Sequence, residues 1–298
     1  MLFPFWIDMA VPAFMVITGY VNAMVFQHKG MTLKDAYRPR EILGKWMRFL
    51  IPFTVVLIIQ ILAKVVMGQR LTAIRIIKSF LGSGGLGPGA FYFPIMIQVV
   101  IIFPLIWFVI GKYKSYGLIG VFLANILFEI AKTFIGTPES VYRICALRYV
   151  FILDYGCYLF ICRDKIISQR KYPYCVVGCV GIVYLIAFQY LSVECVFVPS
   201  GWISTFVIGT LYITPFMLFL MRPNRLHCAP IELLGKASFN ILLAQMVYYW
   251  GPADIIYKII PGTALQLTIS IVLCCVVGVI FYKIESPLTK RIVKAVRR

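Results

Sequence analysis

Apolar runs of about 20 residues recur along this chain, and each is long enough to cross the hydrocarbon core of a bilayer as a helix. Nine such runs are legible, at residues 2–26, 47–67, 90–110, 116–135, 144–162, 174–192, 202–220, 231–250 and 264–283. In lipid, every backbone N–H and C=O must find its partner within the chain. The runs therefore predict an all-α fold, a polytopic transmembrane helical bundle of about nine spans. Composition sets aside a soluble protein with many buried helices. Hydrophobic residues are 61% of the 298 and charged residues 13%, against about 45–50% and 25% in soluble domains. No linker interrupts the pattern, so 1–298 reads as a single membrane domain.

The net charge of +18 would point to nucleic acid in a soluble protein. Here most Lys and Arg sit in the short connections between spans, where they set orientation and meet anionic headgroups. No Arg/aromatic stripe is present, so nucleic acid is not an expected partner. Counting alternate loops, one set including the C-terminal tail holds 21 Lys and Arg and the other holds seven. The richer set is cytoplasmic by the positive-inside rule, which places the C-terminus inside and the N-terminus outside. One further helix before Met1 would return the N-terminus to the cytoplasm and make ten spans.

Soluble-enzyme signatures are missing. There is no GxSxG, no Walker loop and no HExxH. The nine cysteines form no CxxC and no zinc spacing, so no metal site is expected. The two histidines, His28 and His227, fall in inferred cytoplasmic loops, where a solvated role is the commoner one.

Charges inside spans are costly, and each marks a functional hypothesis. Asp8 lies in the first turns of span one. Glu129 and Lys132 share a face of span four, Arg143 and Arg148 open span five, Asp154 lies deeper in it, and Glu285 closes span nine. Simpler roles exist for some of them. Snorkelling accounts for Lys132 and Arg148, an i,i+3 pair accounts for Glu129 with Lys132, and Glu285 can anchor a helix end beside Lys283. Asp8 and Asp154 resist such readings, because a short carboxylate cannot snorkel far. Gln98, Asn125, Ser238, Asn240 and Gln245 add polar groups to the bundle, and Ser238 and Gln245 share a helix face. Before span three, "QRLTAIRIIKSF" puts Leu71, Ile74 and Ile77 on one face and Arg70, Arg75 and Lys78 elsewhere. It predicts a short amphipathic helix on the membrane surface. "GSGGLGPGAFYF" follows and is too rich in glycine to be helical.

Six stretches, in order, resemble one family. "WIDMAVPAFMVITGY" is similar to the second helix of the acyltransferase family 3 membrane proteins, with Thr18 where Ser is usual. "ILGKWMRFLIPF" resembles the basic cytoplasmic segment leading into their third helix. "GPGAFYFPIMIQ" and "YRICALRYVFILDYGCYLF" resemble segments of a polysaccharide-modifying branch. "LGKASFNILLAQMVYY" looks like the Gly-Lys-x-Ser-Tyr helix, with Phe239 for Tyr and Gln245 where many members have His. "YKIESPLTKR" is similar to the closing Glu-x-Pro.

The resemblance implies an O-acyltransferase, commonly an O-acetyltransferase, of about ten helices in a bacterial plasma membrane. Such a protein moves an acyl group from cytoplasmic acyl-CoA, a co-substrate rather than a bound cofactor, to a hydroxyl of a cell-surface polysaccharide or lipid-linked glycan. The family's hallmark is an Arg and a His about eleven positions apart on the first helix. Residues 1–26 match the second helix, so the hallmark is expected before Met1, and residues 1–298 alone are expected to show impaired transfer. The candidates at the reacting centre are Asp8, Glu129, Arg143 and Arg148. Arg38, Arg40, Lys45 and Arg48 are candidates for the acyl-CoA phosphates, because guanidinium groups suit phosphate geometry; positive-inside topology explains the same residues. Tyr92, Gln98, Ser238 and Gln245 are candidates for the acceptor, Tyr92 as a stacking face or as part of an interfacial aromatic belt. A glycan or small-solute transporter fits the intramembrane charges too, against the lack of an internal repeat. A non-catalytic membrane remnant is the third reading.

Overall fold

The computed structural model describes residues 10–66, 68, 72–81, 89–193, 207–208, 210–221, 228–260 and 262–297. Among these there is no strand. In chain order the helices are α1 (Ala10–His28), α2 (Leu33–Ala36), α3 (Pro39–Val66), α4 (Ala73–Leu81), α5 (Tyr92–Tyr113), α6 (Ser115–Ile135) and α7 (Glu139–Arg143). A 3-10 turn (Ala146–Tyr149) leads into α8 (Val150–Ile161), followed by α9 (Lys171–Leu191), α10 (Thr214–Met221), α11 (Ala229–Trp250), α12 (Pro252–Ile259) and α13 (Thr263–Arg297).

The expected polytopic bundle is what the chain forms. Among the described residues, six helices are long and apolar enough to cross a membrane: α1, α3, α5, α6, α9 and α13. The other expected spans are helical too, with physical reasons for their weaker signal. Span five is shortened to the 12-residue α8, because Arg143 to Tyr149 turn instead of continuing one helix. Helix α11 has 22 residues but carries Lys236, Ser238, Asn240 and Gln245 along its length. Residues 202–206 and 209 of span seven lie outside the described residues, as do residues 1–9 with Asp8.

The sequence reading treats 1–298 as one domain. The helices gather into two compact units, each drawn from three stretches of the chain, one of Met1–Ala36, Ile101–Pro138 and Ala146–Arg225, the other of Tyr37–Val100, Glu139–Cys145 and Leu226–Arg298.

The first unit is organised by α1 crossing α8. A Cβ at Gly19 would strike the backbone carbonyl of Leu153, and one at Gly156 would strike that of Val16. The two glycines let the backbones touch, the small-residue device of helices that cannot rely on water to drive them together. Phe26 at the end of α1 meets Phe103 and Trp107 of α5 edge-on. Phe122 of α6 lies against Phe151 of α8.

The second unit is built on α3, α11 and α13. Gly278 of α13 seats against Ile241 of α11, where a Cβ would come within 2.5 Å of the Ile241 Cα. Phe49 of α3 meets Phe239 of α11 edge-on. Phe53 is the centre of an apolar cluster with Val56, Leu57, Ala90, Phe93, Leu243 and Met246. Its ring stacks on Phe93 at 3.8 Å and meets Phe80 of α4 at 6.1 Å. At the far end of α3, the Lys64 ammonium lies 5.4 Å from the Trp250 ring.

The short amphipathic helix expected before span three is α4, and these contacts tie its end to α3. Phe53 stands thirteen residues before Val66, the last residue of α3, or about 20 Å along the axis. The chain therefore climbs α3 and returns by that distance to Phe80 before α5 begins. Helix α4 keeps Ile74 and Ile77 exposed, as an amphipathic helix should. Its C-terminal end is held inward by the Phe80–Phe53 contact, and Ser79 is buried.

Candidate functional site

The basic segment is shaped by two local devices. Thr32 and Asp35 cap each other: the Asp35 N–H donates to Thr32 Oγ1 at 3.2 Å and the Thr32 N–H donates to Asp35 Oδ2 at 3.3 Å. This reciprocal box starts α2. Pro39 then opens α3, its missing N–H falling where a helix has no use for one. Arg38 and Arg40 are exposed at that start, Lys45 is half-buried and Arg48 exposed. The last turn of α13 meets the same place. Arg297 Nη2 donates to Glu41 Oε2 at 2.9 Å. Gly44 provides the space, since a Cβ there would stand 2.7 Å from Arg297 Nε. Arg48 lies within electrostatic reach of both Arg297 and Glu41. Arg297 pairs with Glu41 and Arg48 lies near both, so positive charge is in excess at this end of the second unit.

Further along that unit, Gln98 on α5 donates from Nε2 to Ile144 O at 2.7 Å and to Pro94 O at 3.1 Å. It thereby ties the end of α7 to α5. The Arg143 guanidinium, exposed, lies 5.7 Å from the Phe91 ring, next to the half-buried Tyr92. Trp46 Nε1 donates to Ile97 O at 3.0 Å, fixing α3 to the same stretch of α5. Arg143, Tyr92 and Gln98, three of the expected site residues, are therefore neighbours.

Helix α11 presents two polar faces. Ser238 and Gln245 are both exposed, on one face as their spacing requires. Asn240 points the other way and is buried, donating from Nδ2 to Glu285 Oε2 at 3.3 Å. Thr289 donates to the other Glu285 oxygen. The Glu285 carboxylate, 7% exposed, is satisfied on both oxygens within the fold.

The remaining candidates belong to the first unit. Glu129 on α6 is fully buried, and Arg148, in the 3-10 turn, is 8% exposed with its guanidinium 5.2 Å from the Tyr149 ring. Asn125 Nδ2 donates to Leu147 O at 3.2 Å and holds that turn against α6. Asp154 on α8 is fully buried, and neither of its carboxylate oxygens has a hydrogen-bond partner among the described residues. Beside it on α8, the Tyr155 hydroxyl pairs with that of Thr214 at 2.8 Å. The Tyr174 hydroxyl donates to that of Tyr158 at 3.0 Å, which lies 3.4 Å from Ser115 Oγ. A cavity of about 500 Å³ in this unit, lined by Ala10, Phe14, Ile17, Ile182, Tyr212 and Phe216, is apolar and offers little to a sugar.

Sequence reasoning missed the Arg297–Glu41 tie and the hydroxyl contacts of α8. Pairing across 256 residues leaves no local signal, and tyrosines in apolar runs read as ordinary packing. His28 is exposed at the end of α1, and His227 lies outside the described residues. Among the described residues, no group of three or more His, Cys, Asp or Glu is close enough to hold a metal ion.

A family model described as an acyltransferase domain matches residues 1–283. No curated protein and no solved structure matches the chain.

Proposed function

The chain belongs to acyltransferase family 3, and from that premise we propose that it is a multi-pass O-acyltransferase of a bacterial plasma membrane with a cytoplasmic C-terminus. It moves an acyl group, acetyl in the simplest case, from cytoplasmic acyl-CoA to a hydroxyl of an exported or lipid-linked glycan. In the reaction the acyl C–S bond breaks and a C–O bond forms, and the hydroxyl proton passes by way of a base to the departing thiolate. Acyl transfer needs that base near the hydroxyl and donors aimed at the oxyanion that develops. Asp8 and Glu129 are the carboxylates proposed for proton handling, and Arg143 and Arg148 the cations proposed to meet negative charge at the reacting centre.

The observation that carries the donor side is the cationic end of the second unit. Arg297 pairs with Glu41 there and Arg48 lies within electrostatic reach of both, and Arg38, Arg40 and Lys45 lie on the same two turns and their approach. Planar guanidinium forks bind phosphate bidentately, so this end suits the phosphates of CoA. Tyr92, Gln98, Ser238 and Gln245 are proposed for the acceptor. The test is acyl transfer in membranes from cells that express the protein from its own locus. Label from [acetyl-14C]CoA should appear on an alkali-labile ester of the surface glycan and be lost on deletion. Glycan movement across vesicles that needs no acyl-CoA, with no label incorporated, would replace this reading with transport.

A further inference from the structure

Building on the acyl-transfer reading, we infer that Arg143 is an anion clamp for the acceptor. The glycan this chain modifies carries an acidic group, a carboxylate or a phosphate, close to the hydroxyl that is acylated.

Three observations converge. The Arg143 guanidinium is exposed, and among the described residues it makes no hydrogen bond and no ion pair; its contact is the Phe91 ring at 5.7 Å. A cation on a ring face keeps its forked edge free while its orientation is held. The mount is rigid. Gln98 grips the carbonyl of the next residue, Ile144, at 2.7 Å, Tyr142 is 2% exposed, and the chain turns at once, with the Cys145 N–H donating to Tyr142 O at 3.1 Å.

The third observation is position. Phe91 belongs to the turn Gly89–Phe91, and Ala90 and Phe93 pack on Phe53, about 20 Å before the far end of α3. This turn opens α5, a helix long and apolar enough to cross a membrane, so Arg143 and Tyr92 meet at the start of a span, where polar and aromatic groups face one boundary. An exposed guanidinium at that boundary can meet an acceptor in water. The site is also separate from the donor end. Phe53 and Gly44, which seats Arg297, are nine residues apart on α3, about 13 Å. Tyr92, adjoining Phe91, gives the sugar ring an apolar face while Arg143 holds its acidic group.

The test is protection of Arg143 from phenylglyoxal in the full-length protein in nanodiscs, read by peptide mass spectrometry. The probes are a hexuronic acid tetrasaccharide, the same tetrasaccharide carboxyl-reduced, a phosphorylated tetrasaccharide, and CoA. At about ten times its dissociation constant an acidic probe should slow modification about tenfold, because an occupied site is shielded, and the reduced probe should not. Protection by the uronate alone assigns a carboxylate, by the phosphorylated sugar alone a phosphate, and by both a general oxyanion site. Equal protection by the neutral probe, protection by CoA, or none at all overturns the inference. Arg143→Lys keeps the charge and loses the fork; it should bind the protecting sugar about tenfold more weakly by calorimetry with an unchanged melting temperature. Unchanged affinity would also overturn it. Labelling needs no turnover, so protection without acyl transfer would sink the transferase reading and leave the clamp. Transfer to a neutral glycan without protection would do the reverse.

Discussion

Replacing Gly19 by alanine tests the α1–α8 crossing most directly. The added methyl would meet the main-chain carbonyl of Leu153, with the carbonyl carbon 2.9 Å and the Cα 3.2 Å away. Backbone cannot rotate aside as a side chain can, so the helices must part by roughly an ångström. A gap of 0.5–1 Å forfeits about a quarter to a half of each contact worth about 0.1–0.2 kcal/mol. Over on the order of 40 atom pairs at such a crossing, that is about 2 kcal/mol, within the range of about 1–3 for overpacking. Gly156→Ala should cost a similar amount, because its methyl would meet the Val16 carbonyl carbon at 2.9 Å and the Tyr20 nitrogen at 3.0 Å. The double variant should cost less than the sum of the two, since one separation relieves both clashes. Gly120→Ala on α6 is the control, with nothing within 4 Å of its new methyl. The assay is thermal unfolding in detergent followed by a thiol-reactive dye, because Cys157 lies on α8, fully buried. A Gly19→Ala protein that melts with wild type and with the Gly120 control would refute the close crossing.

Other outcomes follow from the same geometry. Asn240→Leu removes a donor from the buried Glu285 carboxylate and should cost about 1–3 kcal/mol, seen as a lower melting temperature; Asn240→Asp, which sets a second carboxylate beside the first, should be worse. Asp154→Asn should be neutral or stabilising in the same assay, because the carboxylate it replaces has no partner among the described residues to lose; a marked loss of stability would reveal a hidden partner. Arg48→Ala should raise the KM for acetyl-CoA about tenfold with kcat little changed, and should flatten the salt dependence of KM; a fall in kcat alone would move Arg48 away from donor binding.

Periodicity and length carried most of the fold in advance. An apolar run of 20 residues has one stable form in lipid, so α1, α3, α5, α6, α9 and α13 follow from sequence alone. What periodicity cannot report is which side chains meet. The stretch before α5 reads as a surface helix because Ile74 and Ile77 share a face. Its return to Phe53 is decided by Phe80, Ala90 and Phe93 packing on one ring, contacts no local pattern announces. For the site, residue types were legible and partners were not. Arg143, Tyr92 and Gln98 stand out singly as polar or aromatic groups, and the turn at Cys145 that brings them together leaves no signature. Glu41 looks like one more loop charge until Arg297 arrives from the other end of the chain. Asp8 lies outside the described residues.

The polar groups inside this bundle divide by whether the fold has already answered them, and that division says where ligand binding has energy to gain. Glu285 takes hydrogen bonds from Asn240 and Thr289, and Asn125 spends its amide on the Leu147 carbonyl. A ligand reaching such groups would have to break as much as it makes, so they act as struts between helices. Arg143 is different, because its charge is held in place and left uncompensated among the described residues. An exposed guanidinium can pair with an incoming anion without breaking a contact that the fold already makes. The same test sets Asp154 apart, since its carboxylate is fully buried and without a hydrogen-bond partner among the described residues. Arg143 should therefore govern which glycan is accepted, and Asp154→Asn should leave that preference unchanged.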